Sequence, residues 1–331
     1  MTVRAHPASP LITRRHALGL AAGLALATPL RRARAADTES VTLRVAAFRG
    51  MDQTLLAETG LNDFPYRVAF SEFNSGNLIA QAINADAIDL GMWSEIPMVF
   101  AASAGARVAV VATMDGPTTD QALLVPTGSP AQSVADLRGR RVGYIKATTA
   151  HYFLLKMLAQ HGMGMADIKP VALGMSDGLT AMKSGSLDAW ATYGYAIQTL
   201  EADKTARILQ SAADILSGHY FIGANPRGLA GADFRAAAAD YLHRLGKAYA
   251  ILTADKPRWA RAVAPVIKVP EPLVLAYLQS QNRPYTPRAW RPDDIASAQS
   301  VADTFIQAGV LPAGTSLQPV FSTALAPLLP A

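Results

Sequence analysis

Short apolar runs alternate with amphipathic segments from residue 41 to about residue 229. Runs rich in Val, Ile, Leu and Ala predict eight strands, at 43–48, 66–70, 88–92, 108–114, 122–125, 141–145, 169–173 and 189–192. Apolar residues at helical spacing predict helices at 78–84 and 152–160, and His161-Gly162 ends the second one. Strands that alternate with helices are typical of parallel sheets covered by helices. We therefore predict an α/β fold.

The pattern changes after about Leu229, where helical spacing alone continues. Four helices are predicted, at 234–253, 258–267, 272–281 and 293–308, each with Pro, Asp or Gly near its ends. Residues 315–331 give mixed signals, and their apolar stretch 324–329 is expected to pack on the fold. The last third of the chain is thus expected to be helical.

Two nine-residue segments, 82–90 and 181–189, repeat one plan. Each runs Ala, apolar, polar, small, any, small, apolar, Asp, apolar, and the second lies 99 residues after the first. This order is typical of a helix end and a tight turn, followed by a strand that Asp89 or Asp188 precedes. The spacing is too long for a solenoid repeat, so it favours two domains built on one plan.

The charge of the chain is unevenly distributed. Its 331 residues include 30 Lys plus Arg, 25 Asp plus Glu and no Cys. Residues 1–35 contain six Arg and no acidic residue, which leaves 24 basic against 25 acidic groups in the remainder. A nearly neutral remainder implies neither nucleic acid nor an acidic membrane surface as a partner. The lack of cysteine excludes disulfides, thiolate catalysis, Cys-ligated metals and a lipid anchor on an N-terminal Cys.

Residues 1–35 are predicted to be an export signal. Arg14-Arg15 precedes an Ala/Leu/Gly-rich stretch, and Ala33-Arg34-Ala35 resembles a cleavage site. At about 1.5 Å per residue the apolar stretch spans about 21 Å as a helix, short of the roughly 30 Å hydrocarbon core. The Arg pair resembles the twin-arginine type although Ala17 stands where a large apolar residue is usual, so ordinary secretion stays the alternative. The prediction is a periplasmic, soluble protein without a lipid tether.

One short motif suggests a hydrolase. Residues 174–178 fit Gly-x-Ser-x-Gly, with Ser176 as the candidate nucleophile and His219 or His243 as candidate bases. The sequence has no His-Gly-Gly type oxyanion loop, and no βα pattern follows that would carry the other partners. We therefore expect Ser176 or Asp177 to cap a helix, and we expect the protein not to be an enzyme.

Metal binding is not expected either. The four histidines after the predicted signal are His151, His161, His219 and His243. No two of them are spaced i, i+4, and no His/Glu cluster surrounds them. No cofactor is predicted.

Several predicted helices begin directly after strands with small or polar residues. Thr148-Thr149 opens one helix, with His151 beside it, and Ser75-Gly76-Asn77 opens another. A helix start offers unpaired N–H groups and the positive end of a dipole, which can hold an anionic oxygen. Simple capping is the alternative explanation.

Two further turns follow strands, at 93–95 and at 193–195. In parallel α/β sheets, ligands collect at the carboxyl ends of the strands. Two domains that each present helix starts and aromatic residues there form a cleft for a small polar molecule.

A family resemblance rests on Gly91, Ser94 and six short segments, at 73–77, 82–89, 97–101, 134–143, 147–151 and 181–190. Through them the sequence resembles the substrate-binding proteins of ABC importers, in the branch for aliphatic sulfonates, taurine and nitrate. It is also similar to the thiamine-precursor-binding group. The resemblance covers roughly residues 41–217.

The resemblance implies a type II periplasmic-binding fold, with two doubly wound α/β lobes joined by two hinge strands. It implies a first lobe of residues 41–117 plus 222–331 and a second lobe of residues 118–221. The crossings between the lobes are expected near 114–121 and 219–224. Family members hold the anionic head at the positions of 75–77, around Ser94, and at Thr148 and Thr149.

The implied function is an exported, monomeric, non-catalytic receptor. It would deliver a small organic anion, of the alkanesulfonate or taurine type, to an inner-membrane ABC permease. Arg49 is expected to supply charge, Glu95 to meet a cationic tail, and Trp93, Trp190 and Tyr193 to pack the carbon chain. The expected binding residues are Arg49, Ser75, Gly76, Asn77, Trp93, Ser94, Glu95, Thr148, Thr149, His151 and Tyr193.

Other functions remain open from the sequence. Within the binding class the alternatives are nitrate and a thiamine-precursor or other heteroaromatic ligand. A receptor that feeds a signalling partner, and a serine hydrolase built on Ser176, are the alternatives of other classes.

Overall fold

Two sheets organise the part of the chain that the computed structural model describes, residues 41–330. The predicted export signal, 1–35, lies outside the described residues. The strands of the first sheet are β1 (Thr42–Ala47), β2 (Arg67–Glu72), β3 (Leu90–Ser94), β4 (Ala109–Asp115), β10 (His219–Ala224) and β11 (Thr286–Arg288). Their order across the sheet is β11-β4-β10-β3-β1-β2. The neighbours β1, β2 and β3 are parallel, whereas β10 runs antiparallel to both β3 and β4.

The second sheet repeats this design with five strands. They are β5 (Gln121–Pro126), β6 (Arg141–Tyr144), β7 (Lys169–Ala172), β8 (Ala189–Tyr193) and β9 (Ala206–Ser211), in the order β7-β6-β8-β5-β9. Here β6, β7 and β8 are parallel, and β5 runs antiparallel to β8 and β9.

Helices cover both faces of each sheet. The helices are α1 (Asp52–Thr59), α2 (Gly76–Asn84), α3 (Glu95–Ser103), α4 (Thr149–Gln160), α5 (Met175–Lys183), α6 (Tyr195–Ala202), α7 (Ala232–Ala254), α8 (Lys256–Ile267), α9 (Glu271–Ser280) and α10 (Pro292–Gln307). The first sheet packs α1, α7, α8 and α9 on one face and α2, α3 and α10 on the other. The second sheet packs α4 on one face and α5 with α6 on the other. We call each sheet with its helices the first lobe and the second lobe.

Local sequence explains how these helices begin and which face they bury. In α2 the Ser75 side chain accepts a hydrogen bond from the Leu78 N–H, which satisfies one of the free donors of the first turn. The same helix buries Ile79 and Ile83, four residues apart, against the sheet. Burying such side chains stabilises the fold by about 1.5–3 kcal/mol each.

The repeated plan of 82–90 and 181–189 occupies equivalent places in the two lobes. Asp89 precedes β3 and accepts hydrogen bonds from the Arg44 backbone N–H and Nε, both at 2.9 Å. Asp188 precedes β8 and accepts the corresponding bonds from Arg141, at 2.8 and 3.1 Å. In each lobe the Asp therefore ties the start of one parallel strand to its neighbour, as expected for two domains of one design.

The chain passes between the lobes at residues 116–120 and 212–218, and neither crossing is a strand. The Gly116 N–H donates to the Gly218 carbonyl at 2.8 Å, so the two crossings lie side by side. A Cβ on Gly218, whose φ is +79°, would approach the Gly116 carbonyl oxygen to 2.6 Å. The second expected crossing, 219–224, is wrong, because that segment is β10 and pairs on both sides within the first sheet.

All eight predicted strands and all six predicted helices are present, with ends shifted by a few residues. The expectation of helices alone after Leu229 is wrong, because β11 pairs with the end of β4. That strand has three residues and contains Pro287, which only an edge position accommodates without loss of a ladder hydrogen bond. Among residues 41–330, no helix is both long enough and apolar enough to cross a membrane.

Candidate functional site

A cavity of about 350 Å³ is lined by residues of both lobes. This volume is in the range of pockets that hold small molecules. A larger groove, of about 820 Å³, is lined by residues of the first lobe alone. The cavity between the lobes is therefore the one that a closing pair of lobes would form.

Six helices begin at this cavity, each after a parallel strand. The lining includes Met51 before α1, Gly76 in α2, Ser94 before α3, Thr149 in α4, Met175 in α5, and Gly194 with Tyr195 at the start of α6. The first N–H groups of a helix have no acceptor within the helix, and the dipole places partial positive charge there. The convergence of six helix starts thus makes an environment that favours an anion.

Hydroxyl groups add donors at the same place. Thr148 and Thr149 are buried and line the cavity, and the partly exposed Ser75 and Ser94 also line it. The Thr148 hydroxyl donates to the Ile145 carbonyl at 2.7 Å, so its proton is already engaged. The Thr149 and Ser94 hydroxyls make no hydrogen bond with any residue in 41–330, which leaves both available to a ligand.

Tyr193 lines the cavity on the side of the second lobe. Burial raises the pKa of its phenol to about 12. Tyr193 is therefore neutral near pH 7 and can donate a hydrogen bond.

Arg49 is the one Lys or Arg among the cavity-lining residues. Its guanidinium pairs with Glu72, with Nη2 3.0 Å from Oε2, and both side chains are more than half exposed. An exposed pair of this kind contributes little and leaves the Arg49 side chain able to reorient. The expected positive charge is therefore at the cavity, but it is shared with a carboxylate.

Three expected binding residues do not line the cavity: Asn77, Glu95 and His151. The Asn77 Nδ2 donates to the Ala147 carbonyl at 3.3 Å and so connects α2 of the first lobe with the turn before α4. The Asn77 contact is between lobes rather than with the cavity.

His151 packs inside the fold. Its ring lies 4.8 Å from that of Tyr144 and 5.0 Å from that of Phe305, and its Nδ1 accepts a hydrogen bond from the Ala147 N–H. Burial, together with the charge of Lys146, lowers the pKa of His151 to about 4. His151 is therefore a neutral, buried imidazole outside the cavity lining, and its expected contact with the anion stays a prediction.

Glu95 does not line the cavity, and its expected contact with a cationic tail stays a prediction. The Ser217 hydroxyl donates to Glu95 Oε2 at 2.5 Å, and Glu95 Oε1 lies 3.6 Å from His219 Nδ1. Burial lowers the pKa of His219, but the nearby carboxylates of Glu95 and Asp294 raise it by more, so the net shift is upward. Glu95 thus belongs to a buried cluster of charged groups, with His219 and Asp294, beside the second crossing.

The two tryptophans expected to pack the carbon chain both have rings in the core, and their contact with a ligand stays a prediction. Trp93 lines the cavity, but its ring lies over Gly223, where any Cβ would collide with it. Trp190 is fully buried in the second lobe, with its ring against Gly143 and Gly178. Both rings serve core packing, and Trp190 is outside the lining.

Ser176 has no catalytic partners in the structure. It is exposed in the first turn of α5, and its carbonyl accepts a hydrogen bond from Thr180. Within residues 41–330 its side chain contacts no His or carboxylate by hydrogen bond, and the N-cap of α5 is Gly174 without a side-chain cap. The expected cap by Ser176 or Asp177 is therefore wrong as well. The described part of the chain also contains no group of three His, Cys, Asp or Glu residues placed to hold a metal ion.

An acidic and tyrosine-rich part of the lining was not predicted from the sequence. Asp120, Gln121, Tyr195, Tyr220, Tyr277 and Tyr285 all face the cavity. Asp120 Oδ2 accepts a hydrogen bond from the Tyr277 hydroxyl at 2.9 Å. Burial raises the pKa of Asp120 to about 6, and the Tyr277 bond offsets part of that shift. The one signal in the sequence was that Asp120 falls in the expected crossing 114–121.

Known proteins resemble this chain over most of its length. Residues 67–220 match the family model NMT1/THI5 like. An aliphatic sulfonates-binding protein of Escherichia coli (strain K12) is 28% identical over 283 residues, which is 84% of this chain and 88% of that protein. The chain is thus similar to this sulfonate-binding protein over most of its length. The resemblance inferred from residues 73–190 is therefore confirmed.

Solved structures of similar proteins confirm the fold predicted for this chain. The alkanesulfonate-binding protein SsuA from Xanthomonas axonopodis pv. citri, bound to MOPS, superposes with a TM-score of 0.76 at 27% identity, covering 86% of this chain and 99% of that one. The periplasmic aliphatic sulphonate binding protein SsuA from Escherichia coli gives 0.74 at 27% identity, covering 82% and 94%. The desulfurization enzyme DSZB, at 13% identity and a TM-score of 0.62, shares the fold alone.

Proposed function

We propose that this protein is an extracytoplasmic solute-binding receptor of an ABC importer and that it binds an alkanesulfonate between its two lobes. The observation that carries the proposal is the convergence of six helix starts, from both lobes, on one cavity of about 350 Å³. The relatives named for sulfonate binding support the same class of ligand.

A sulfonate fits the chemistry of these helix starts. It stays anionic at any physiological pH, and its three oxygens accept hydrogen bonds in several directions. Backbone N–H groups and the hydroxyls of Ser94 and Thr149 supply donors from several directions, with little formal charge to desolvate. We expect the carbon chain to extend from this group toward the tyrosines.

The two lobes are expected to close on the ligand. A ligand that contacts both lobes stabilises the closed arrangement over the open one by its differential affinity. The hydrogen bond from Asn77 to the Ala147 carbonyl is a direct contact between the lobes that a closed arrangement also uses. In this proposal the closed, liganded protein docks on an inner-membrane permease and releases the sulfonate unchanged.

A non-catalytic role in the periplasm completes the proposal. Ser176 is exposed, with no His or carboxylate hydrogen-bonded to it in the described residues, which supports binding without hydrolysis. Export through residues 1–35, solubility without a lipid tether, and a monomeric state are parts of this proposal that follow from the sequence pattern and from the periplasmic relative.

A heteroaromatic ligand is less well supported. A flat ring would need a slot between parallel aromatic walls. The tyrosines at the cavity pack on each other instead, with Tyr195 and Tyr277 inclined by 51° and Tyr220 and Tyr285 by 67°.

Thermal unfolding of the purified protein with a ligand panel tests the proposal. The panel contains ethanesulfonate, butanesulfonate, nitrate, short carboxylates and a thiamine-precursor pyrimidine. A ligand at a hundred times its Kd stabilises the native state by about 2.7 kcal/mol, so a sulfonate is expected to raise the melting temperature by several degrees. A shift with the pyrimidine alone, or with no member of the panel, would contradict the proposal.

A further inference from the structure

Two buried oxygen atoms at the cavity lack hydrogen-bond donors. Asp120 and Gln121 are each only 5% exposed, and both line the cavity. Among the described residues, Asp120 Oδ1 and Gln121 Oε1 have no hydrogen-bond partner. A buried acceptor without a partner is destabilising, and a carboxylate oxygen more so than an amide oxygen. A ligand that carries a hydrogen-bond donor could therefore satisfy both oxygens in this part of the cavity.

The rest of the Asp120 residue is already held in place. Its carbonyl accepts a hydrogen bond from the Gly194 N–H at 2.9 Å, and its Oδ2 accepts one from the Tyr277 hydroxyl at 2.9 Å. No Lys or Arg of residues 41–330 forms an ion pair with it. The negative charge thus stays fixed at the wall with one oxygen unused.

Aromatic rings lie beside this carboxylate. The Tyr195 and Tyr277 ring centroids are 4.3 Å apart, those of Tyr220 and Tyr285 are 5.3 Å apart, and all four residues line the cavity. The faces of aromatic rings attract cations. A carboxylate, an amide oxygen and tyrosine rings together match the chemistry of an ammonium group.

We propose that these residues form a second subsite, which takes a cationic nitrogen at the tail of the ligand. We call Asp120, Gln121, Tyr195, Tyr220, Tyr277 and Tyr285 the acceptor set, and Ser75, Gly76, Ser94, Thr148 and Thr149 the donor set. The preferred solutes are then zwitterionic sulfonates, with a sulfonate at the donor set and an ammonium at the acceptor set. This inference rests on the proposed function, because the sulfonate must first be held at the donor set.

The subsite explains a preference rather than binding as such. A zwitterion supplies partners for both sets at once. A plain alkanesulfonate satisfies the donor set but leaves the Asp120 carboxylate buried beside a methyl group, which is unfavourable. Selectivity between the two ligands therefore depends on Asp120.

A matched pair of ligands tests the subsite. 3-Aminopropanesulfonate and butanesulfonate have the same length and differ only in an ammonium for a methyl group. By titration calorimetry of the purified protein at pH 7.5, we expect the aminosulfonate to bind at least about tenfold more tightly, as close charge pairs in buried interfaces do. In Asp120→Asn we expect the two affinities to agree within about twofold, because the amide keeps the Tyr277 bond but not the charge.

Asp52→Asn is the matched control. Asp52 is a second buried aspartate, 4% exposed in α1, and its Oδ2 accepts a hydrogen bond from the Tyr241 hydroxyl at 2.6 Å. It lies outside the cavity lining, so its variant should keep the full preference for the aminosulfonate.

The possible results separate the subsite from the proposed function. Equal affinities of the two ligands in the wild-type protein would overturn the subsite and leave sulfonate binding intact. Absence of binding by both ligands would overturn the proposed function itself. If Asp120→Asn loses its circular dichroism signal, Gln121→Met replaces it, with an expected loss of about threefold in preference; an unchanged preference in that folded variant would count against the subsite.

Discussion

The donor set and the acceptor set line the same cavity but work by different physics. The donor set consists of helix starts and hydroxyls, which carry partial charges and are stable whether or not a ligand is present. The acceptor set contains a full charge, on Asp120, that is buried without a matching cation in the described residues. Neutral donors can therefore hold any suitable anion, whereas a buried charge distinguishes among ligands by the partner it requires.

The largest expected effect comes from removing a main-chain donor. Thr149 is the first residue of α4, where its N–H has no acceptor within the helix and where proline fits. Thr148, the preceding residue, is already extended, as a residue before proline must be. Thr149→Pro should weaken every sulfonate by about 30- to 100-fold, since charge-assisted hydrogen bonds contribute about 1.5–3 kcal/mol.

Calorimetry with both ligands measures this loss. Two further variants separate the contribution of the main-chain N–H from that of the hydroxyls. Thr149→Val keeps the N–H and removes the hydroxyl, so a loss of only about tenfold is expected; the double change of Thr148 and Thr149 to Val should weaken binding a little more with the fold intact. In all three the preference for the aminosulfonate should persist. A preference that disappears with Thr149→Pro would show that the two sets are not separate.

The next effect is on pH dependence at the acceptor set. The pKa of Asp120 is about 6 because of burial, so its carboxylate is mostly ionised at pH 7.5 and mostly protonated at pH 5. The groups that face it, Tyr195, Tyr220, Tyr277 and Tyr285, have pKa values raised above the ordinary value and stay neutral throughout.

Lowering the pH from 7.5 to 5 should therefore reduce the preference for the aminosulfonate about tenfold, a shift close to one unit of log affinity. The affinity for butanesulfonate should rise slightly over the same range, because a protonated Asp120 no longer leaves a charge beside its methyl group. A bound ammonium lowers the pKa of Asp120 below its value in the free protein. The preference for the aminosulfonate should therefore continue to fall at pH values below 6. A preference that is the same at both pH values in calorimetry would contradict the role of this carboxylate.

A smaller effect is expected on the stability of the ligand-free protein. Burial raises the pKa values of Asp52 and Asp120 to about 6, above the value near 3.9 of an unfolded chain. A raised carboxyl pKa means that the folded state binds the proton more tightly. Each group thus lowers the free energy of unfolding above pH 6, and this penalty is relieved as the pH falls toward 4.

Asp52→Asn and Asp120→Asn should each raise the free energy of unfolding at pH 7.5, by about 1 kcal/mol, with less gain at pH 5. Urea denaturation at the two pH values measures this difference. The aminosulfonate should remove the advantage of Asp120→Asn over the wild type and leave that of Asp52→Asn unchanged. Loss of stability in both variants at pH 7.5 would show that the carboxylates stabilise the fold instead.

The smallest effect is expected at Glu95. The carboxylate that the sequence suggested for the cationic tail is engaged by Ser217 outside the cavity lining. Glu95→Gln should therefore change both sulfonate affinities by less than about twofold. A selective loss of aminosulfonate binding would restore Glu95 as the tail contact and remove that role from Asp120.

The sequence predicted the features that depend on neighbouring residues. The eight predicted strands, the helix starts at Ser75 and Thr148, and the repeated Asp89 and Asp188 are all local patterns, and the structure contains them. Eight of the eleven expected binding residues line the cavity, because the carboxyl ends of parallel strands meet at one edge. Their contact with a ligand stays a prediction.

The acceptor set was not predictable by these means. Asp120 and Tyr277 are 157 residues apart, and only the return of the last helices to the first sheet brings them together. Glu95 illustrates the opposite case. It is adjacent to Ser94, which lines the cavity, but successive residues of a helix point about 100° apart, so it faces the crossing instead.

The contact between Gly116 and Gly218 has a mechanical consequence. Two connections held together by a backbone hydrogen bond act as a single pivot line, whereas two separate connections would allow twisting as well as bending. Bending about that line keeps the bond, and shearing the lobes past each other breaks it. A larger residue at Gly218, where a Cβ meets the Gly116 carbonyl oxygen at 2.6 Å, would force the pivot itself apart.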